Sequence, residues 1–269
     1  MGMRFGDSLQ VTLFGESHGS CVGALIEGMP AGTPIDPAAL VEDIARRRPG
    51  RKGLSTRSER DECEILSGVY EGRATGWPIL LLTRNSDVRS SDYSFLPDHP
   101  RPGHADMAEG IRLGGANDPR GGGSQSARLT FGLVSAGSQV RALLDDVGWS
   151  CAAHLHSIGE VSAKPLFELE RTTALDPASD MGRLNCRDSE AATRMSEHLE
   201  SVRKELDTIG STVELLIEGL PIGVGEPWVG GLGPGHARRR LGLPRGAAGE
   251  VCRAGRGCPV GGDRPRPPG

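Results

Sequence analysis

Ser8-Leu9-Gln10-Val11-Thr12-Leu13-Phe14 alternates polar and apolar side chains and runs into Gly15-Glu16-Ser17-His18-Gly19. A second apolar run follows at once, Cys21-Val22-Gly23-Ala24-Leu25-Ile26-Glu27-Gly28. Alternation with a period of two, ended by glycine, predicts a strand. Two such strands around a short loop predict an antiparallel hairpin that presents His18 between glycine hinges. Hairpins of this kind interleaved with helices make the fold class α+β.

The same logic extends along the chain. Asp36 predicts an N-cap with Pro37 at the first helical position, and a helix over Ala38–Arg47 that Pro49-Gly50 stops. Arg46, Arg47 and Arg48 then sit on its last turn, where the helix dipole favours cations. Glu64–Val69 and Trp77–Thr83 read as two strands joined through Gly72 and Gly76. From Arg84 to Ser124 the prolines at 97, 100, 102 and 119 and repeated glycine predict loop. A loop so long, rich in His and Arg, reads as functional. Ala127–Asp146 carries Leu129, Leu133, Val134, Val140, Leu143 and Leu144 at helical spacing and predicts a buried helix. Cys151–Ile158 reads as a strand, Ser189–Asp207 as a charged amphipathic helix and Thr212–Ile217 as a strand.

The 269 residues suffice for one large core or two smaller ones, and 40 glycines with 4% aromatics imply much turn and close-approach backbone. No apolar run nears the roughly 20 residues that span a bilayer, and Met1–Asp7 lacks the apolar stretch of a secretory signal. Cys21, Cys63, Cys151, Cys186, Cys252 and Cys258 form no CxxC pair and have no His at metal-ligand spacing. Free thiols in a reducing cytoplasm are therefore expected, and no metal centre. The net charge of −4 is uneven: residues 228–269 hold eight Arg against one Glu and one Asp, leaving 23 basic and 33 acidic residues before them. An acidic body argues against nucleic acid as the main partner, and its local basic clusters suit a small anionic ligand; without a long apolar run no membrane partner is expected either. From Trp228 onward Ser, Thr, Asn, Gln, Lys, Ile, Met, Phe and Tyr are all missing. That composition reads as a GC-rich gene translated out of frame. The expected division is a catalytic domain over 1–227 and a non-native Gly/Arg/Pro-rich tail over 228–269 without packed structure.

Three loops carry the chemistry. An imidazole titrates near neutral pH, so His18 in Gly15–Gly19 and His104 in Arg101-Pro102-Gly103-His104-Ala105-Asp106 are candidate proton donors, with Asp106 placed to orient the second ring. Arg46, Arg47 and Arg48, extended by Arg51 and Lys52, offer guanidinium forks to phosphate and carboxylate. Gly121-Gly122-Gly123-Ser124-Gln125-Ser126 before a helix offers successive N–H groups and hydroxyls to an anion, and is neither a P-loop nor a dinucleotide fingerprint.

Together these stretches resemble the chorismate synthase family. The resemblance runs from Gly6 to about Trp228, and includes Val11–Gly19, Arg46–Gly50, Ile65–Val69, Asn85–Tyr93, Arg101–Asp106, Arg120–Arg128 and Gly219–Pro227. It implies a sandwich of helices between antiparallel sheets, incomplete at the C-terminus in this chain. It also implies conversion of 5-enolpyruvylshikimate 3-phosphate to chorismate and phosphate by an anti-1,4-elimination that needs reduced FMN, on the route to aromatic amino acids. NADPH as the reductant and a cytoplasmic homotetramer belong to the same expectation. On this mapping His18 protonates the departing phosphate and His104 the reduced flavin. Arg46, Arg47, Arg48 and Lys52 hold the substrate, while Ser124, Gln125, Ser126 and Arg128 line the flavin. Family members often carry Arg where this chain has Ser124, and continue for roughly a hundred residues that are absent here. The alternative reading is a truncated or frameshifted fragment without activity.

Overall fold

The computed structural model describes residues 3–47, 61–86 and 90–220. Arg48, Lys52, Asp87–Arg89 and the whole expected tail 228–269 lie outside the described residues. In chain order the strands and helices are β1 (Arg4–Phe5), β2 (Gln10–Gly15), β3 (Cys21–Glu27), α1 (Pro37–Arg47), β4 (Glu64–Ser67), β5 (Val69–Tyr70), β6 (Arg73–Ala74) and β7 (Ile79–Arg84). There follow α2 (Asp106–Arg112), α3 (Thr130–Asp146), β8 (Ser150–Ile158), β9 (Val161–Ser162), α4 (Asp180–Leu184), α5 (Ser189–Lys204) and β10 (Ser211–Glu218). All of them fall in one unit, Met1–Gly219.

The opening hairpin forms as read. β2 and β3 pair antiparallel from Gln10↔Glu27 to Gly15↔Val22. Gly15 has φ +96, and a Cβ there would stand 2.2 Å from the Cys21 carbonyl oxygen, so only glycine lets β2 turn into the His18 loop. The hairpin is the centre of a five-stranded sheet in the order β1-β2-β3-β7-β4, antiparallel throughout. Val22, Ala24 and Ile26 alternate along β3 and are fully buried. α3 covers that face: Phe131 packs with Val22, Leu40 and Ile44, and Ala136 with Val11, Ala24 and Ile26. The close approach has one cause. Gly132 of α3 lies so near β3 that a Cβ would meet the Gly23 carbonyl oxygen at 2.5 Å.

α1 begins as expected, with Asp36 Oδ1 accepting from the Ala38 and Ala39 N–H groups at 2.9 and 3.0 Å. It packs on α3, and Asp43, buried between them, takes both Arg46 and Arg141. A second antiparallel sheet, β10-β8-β9, lies under α4 and α5, with Ile158, Ala163, Cys186, Ala191, Ala192 and Met195 as its core.

Three expectations need correction. The stretch from Arg84 to Ser124, read as loop, contains α2 and two 3-10 turns, Ser90–Tyr93 and Arg120–Gln125. No proline interrupts positions 103–118, and Asp106 and Glu109 stand in the first turn of α2, where the dipole favours acids. The flanking prolines outweighed that signal. The strand read over Glu64–Val69 breaks at Gly68, φ +80, into β4 and β5. α5 stops at Lys204 rather than Asp207, because Leu206 takes a left-handed φ of 56.

Gly132→Ala is expected to cost about 1–3 kcal/mol in urea unfolding through overpacking against β3. Gly137→Ala on the same helix, exposed with nothing within 4 Å of its Cβ position, is expected to gain about 0.5–1 kcal/mol.

Candidate functional site

His18 and His104 converge on two consecutive glycines. A Cβ on Gly121 would stand 2.4 Å from His18 Cδ2, and one on Gly122 would stand 3.0 Å from His104 Cε1. Gly121, Gly122 and Gly123 all have positive φ, so the chain passes between the two rings in a conformation that side chains would both strain and obstruct. The Gly15–Gly19 loop is tied to this strip by the Ser17 N–H, which donates to the Gly123 carbonyl at 3.2 Å, and by Ser17 Oγ, which donates to the Arg120 carbonyl.

Each imidazole has a built setting. His104 Nδ1 lies 2.7 Å from Asp106 Oδ1, so Nδ1–H donates to the carboxylate and Nε2 is left on the side of Gly122. Arg101 grips the same carboxylate from its Nε and Nη2, both at 2.8 Å. These hydrogen bonds hold the Asp106 carboxyl down to about 2, far below the usual carboxylate value. Tyr93 connects the two loops: His18 meets its ring edge-on at 4.9 Å between centroids, and the Arg101 guanidinium lies 5.5 Å over it. Asp118, near His18, is lowered by its two-point contact with Arg120.

The arginines divide. Arg47 Nη1 donates to Asp61 Oδ2 at 2.8 Å, and the other oxygen of that carboxylate takes Arg128 Nη1. Asp61 is fully buried, and the two guanidinium side chains are only 12% and 7% exposed. Arg128 also donates through Nε to Asn85 Oδ1 at 3.1 Å. The Asn85 amide in turn donates to the carbonyls of Glu16 and Gly19. One hydrogen-bonded chain therefore runs from the His18 loop through Asn85, Arg128 and Asp61 to Arg47. Arg46 is not part of it: its side chain is 66% exposed and pairs with Asp43 on the α1–α3 side.

Of the flavin-side residues, Ser124 and Gln125 line a concavity with Glu16, Glu109, Asn117, Asp118 and Gly122, and Gln125 also faces the adjoining one beside His104. Ser126 caps the turn that leads into α3, its Oγ accepting from the Arg128 N–H. Reading the sequence missed Asp61, Asn85 and Tyr93 as parts of the site. Asn85 and Tyr93 lie in the stretch that carries the family resemblance, which was their available signal; Asp61 had none.

The profile of the family described as chorismate synthase matches residues 9–248. The chain is 42% identical over 244 residues to chorismate synthase of Methanosarcina barkeri, covering 90% of this chain and 66% of that one. It is 43% identical over 227 residues to that of Methanosarcina acetivorans, covering 84% and 61%, and 42% identical over 245 residues to that of Aeropyrum pernix, covering 91% and 64%. A crystal structure of chorismate synthase superposes with a TM-score of 0.60 at 26% identity, covering 82% of this chain and 61% of that chain. The chain thus spans a little under two thirds of the length of these relatives.

Asp61→Asn removes the negative charge that two buried guanidinium groups share, and is expected to destabilise by about 3–5 kcal/mol in denaturant titration. Asp106 gives a pH signature. Its folded pKa lies below the unfolded one, so its contribution is complete above the usual value of 3.8 and is lost as pH falls towards about 2. The stability gap between the parent and Asp106→Asn should shrink across that window by on the order of 2 kcal/mol, read as urea midpoints at successive pH values.

Proposed function

The chain belongs to the chorismate synthase family, and we propose from that premise that it takes 5-enolpyruvylshikimate 3-phosphate to chorismate and phosphate. The observation that carries this reading is the placement of His18 and His104 on consecutive glycines of one strip. An anti elimination needs one proton donor at the leaving oxygen and a second proton-handling group elsewhere. Two separately oriented imidazoles facing the same backbone meet that need.

His104 holds its Nδ1 proton on Asp106, so Nε2 is the atom that takes or gives a proton on the side of Gly122. Asp106, pinned by Arg101, keeps the ring in that tautomer. His18 is buried against Tyr93 and Gly121 and serves as the acid that protonates the departing phosphate. Arg47 contributes to substrate binding as part of the cluster fixed by Asp61.

The residues present suit a flat, hydrogen-bonding cofactor. Gly122, Ser124 and Gln125 line one concavity, and Gly122 and Gln125 also line the adjoining one beside the His104 ring. Reduced FMN, when bound, supplies the electron density that assists loss of phosphate without net redox change. Ser124, Gln125 and Ser126 would hold it, with Arg128 fixed behind them by Asp61 and Asn85. NADPH as its reductant and a homotetrameric assembly are part of the same proposal.

An anaerobic assay for chorismate with reduced FMN tests the reading, alongside a flavin titration. Turnover is expected in the parent and should fall by about 10²–10⁴ in His18→Ala and in His104→Ala, with the unfolding transition retained. Saturable flavin binding without turnover would instead favour a chain that keeps the site but not the activity. Normal turnover in either variant would remove that histidine from the mechanism.

A further inference from the structure

Away from this site, β8 and β10 pair with a register shift between Thr212 and Val213. Thr212 pairs with Ser157 and Val213 with Leu155, so His156 is the extra residue of a β-bulge. Bulges re-aim side chains, and this one leaves the His156 ring 5.9 Å from that of His154, centroid to centroid. Glu214, opposite His154 on β10, points a carboxylate oxygen at both: Oε2 lies 3.1 Å from His154 Nε2 and 3.6 Å from His156 Nδ1. The three atoms lie within 4.8 Å of one another.

A structural hydrogen-bond cluster accounts for only part of this arrangement. Glu214 Oε2 accepts from the Leu166 N–H at 2.7 Å and faces His154 Nε2, which satisfies those groups. His156 Nδ1, by contrast, is shut off from solvent and has no hydrogen-bond partner. Native proteins rarely leave a buried polar nitrogen in that state. A cation between the three atoms would supply the missing partner.

We propose that His154, His156 and Glu214 form a binding site for a divalent transition ion of the zinc class. Two imidazole nitrogens and one carboxylate oxygen are the donor set such ions take, and one that magnesium and calcium do not favour. Ligand atoms around a tetrahedral ion stand roughly 3.4 Å apart when each is about 2.1 Å from the metal. The two gaps to Glu214 Oε2, 3.1 and 3.6 Å, bracket that spacing, and the imidazole nitrogens, within 4.8 Å of each other, turn towards the ion to complete the site. His154 is fully buried and anchors the inner side. The side chains of His156 and Glu214, 26% and 30% exposed, leave an outer side where water completes the coordination. Ligation through His154 Nε2 places that ring's proton on Nδ1. The displaced contact is a long one, from the Arg187 N–H at 3.5 Å. The sequence reading expects no metal centre. These ligands come together only through strand pairing, His154 and Glu214 being 60 positions apart.

The test uses the untagged full chain, stripped with a chelator and titrated with Co²⁺, whose visible d–d absorption reports nitrogen and oxygen ligation. One saturable equivalent is expected, displaced by Zn²⁺. His156→Ala, at a partly exposed bulge, and Glu214→Gln, which can still accept from Leu166, should each weaken binding by about tenfold or more with unchanged far-UV circular dichroism. No saturable absorption would overturn the site. So would binding in folded His156→Ala or Glu214→Gln equal to that of the parent. None of this depends on elimination activity, so a failed chorismate assay and a failed metal titration are separate results.

Discussion

The carboxylate of Asp61 lies where two helices meet: it takes one guanidinium from the last turn of α1 and another from the turn that begins α3. A buried charge of this kind is tolerable only when opposite charge is held against it at hydrogen-bonding distance. The consequence is positional. Arg128 cannot leave Asp61, so its Nε stays on Asn85, and Asn85 in turn fixes the carbonyls of Glu16 and Gly19 on either side of His18. The loop that carries the acid of the proposed reaction is thus held by a run of hydrogen bonds that ends on a buried carboxylate.

A second constraint is geometric. The glycines at 121, 122 and 123 all take positive φ, and the first two have a histidine ring where a side chain would stand. Backbone here does what a side chain cannot, because it brings two imidazoles to adjacent residues without a Cβ between them. Tyr93 then separates and braces the two loops, edge-on to His18 and beneath Arg101. Rigidity comes from aromatic and ionic contacts where regular secondary structure is sparse.

Much of this was legible in the residues. The β2–β3 hairpin, the capped start of α1, the long helix α3 and the strands β8 and β10 follow from periodicity and from cap and turn residues, since those signals are local. The two histidine loops and the glycine strip were likewise visible. α2 was hidden by its flanking prolines, and the break at Gly68 by a single residue whose φ no apolar pattern reports. Asp61 was illegible for a different reason: an acid among polar neighbours looks solvated until the fold closes two arginines over it. Arg46 shows the converse, since adjacent helical positions face different ways, and Asp43 claims it while Arg47 turns to Asp61. The His154, His156 and Glu214 cluster depends on a bulge, and therefore on register that emerges only when the strands pair.

The bond from Ser17 Oγ to the Arg120 carbonyl joins positions 103 residues apart. Closing so long a stretch of chain costs conformational entropy, which the contacts between the two loops must offset. A ligand bridging the two histidine loops would act as a clasp across that closure. By binding only the closed arrangement it would add its own free energy to the folded state, and its withdrawal would take that contribution away.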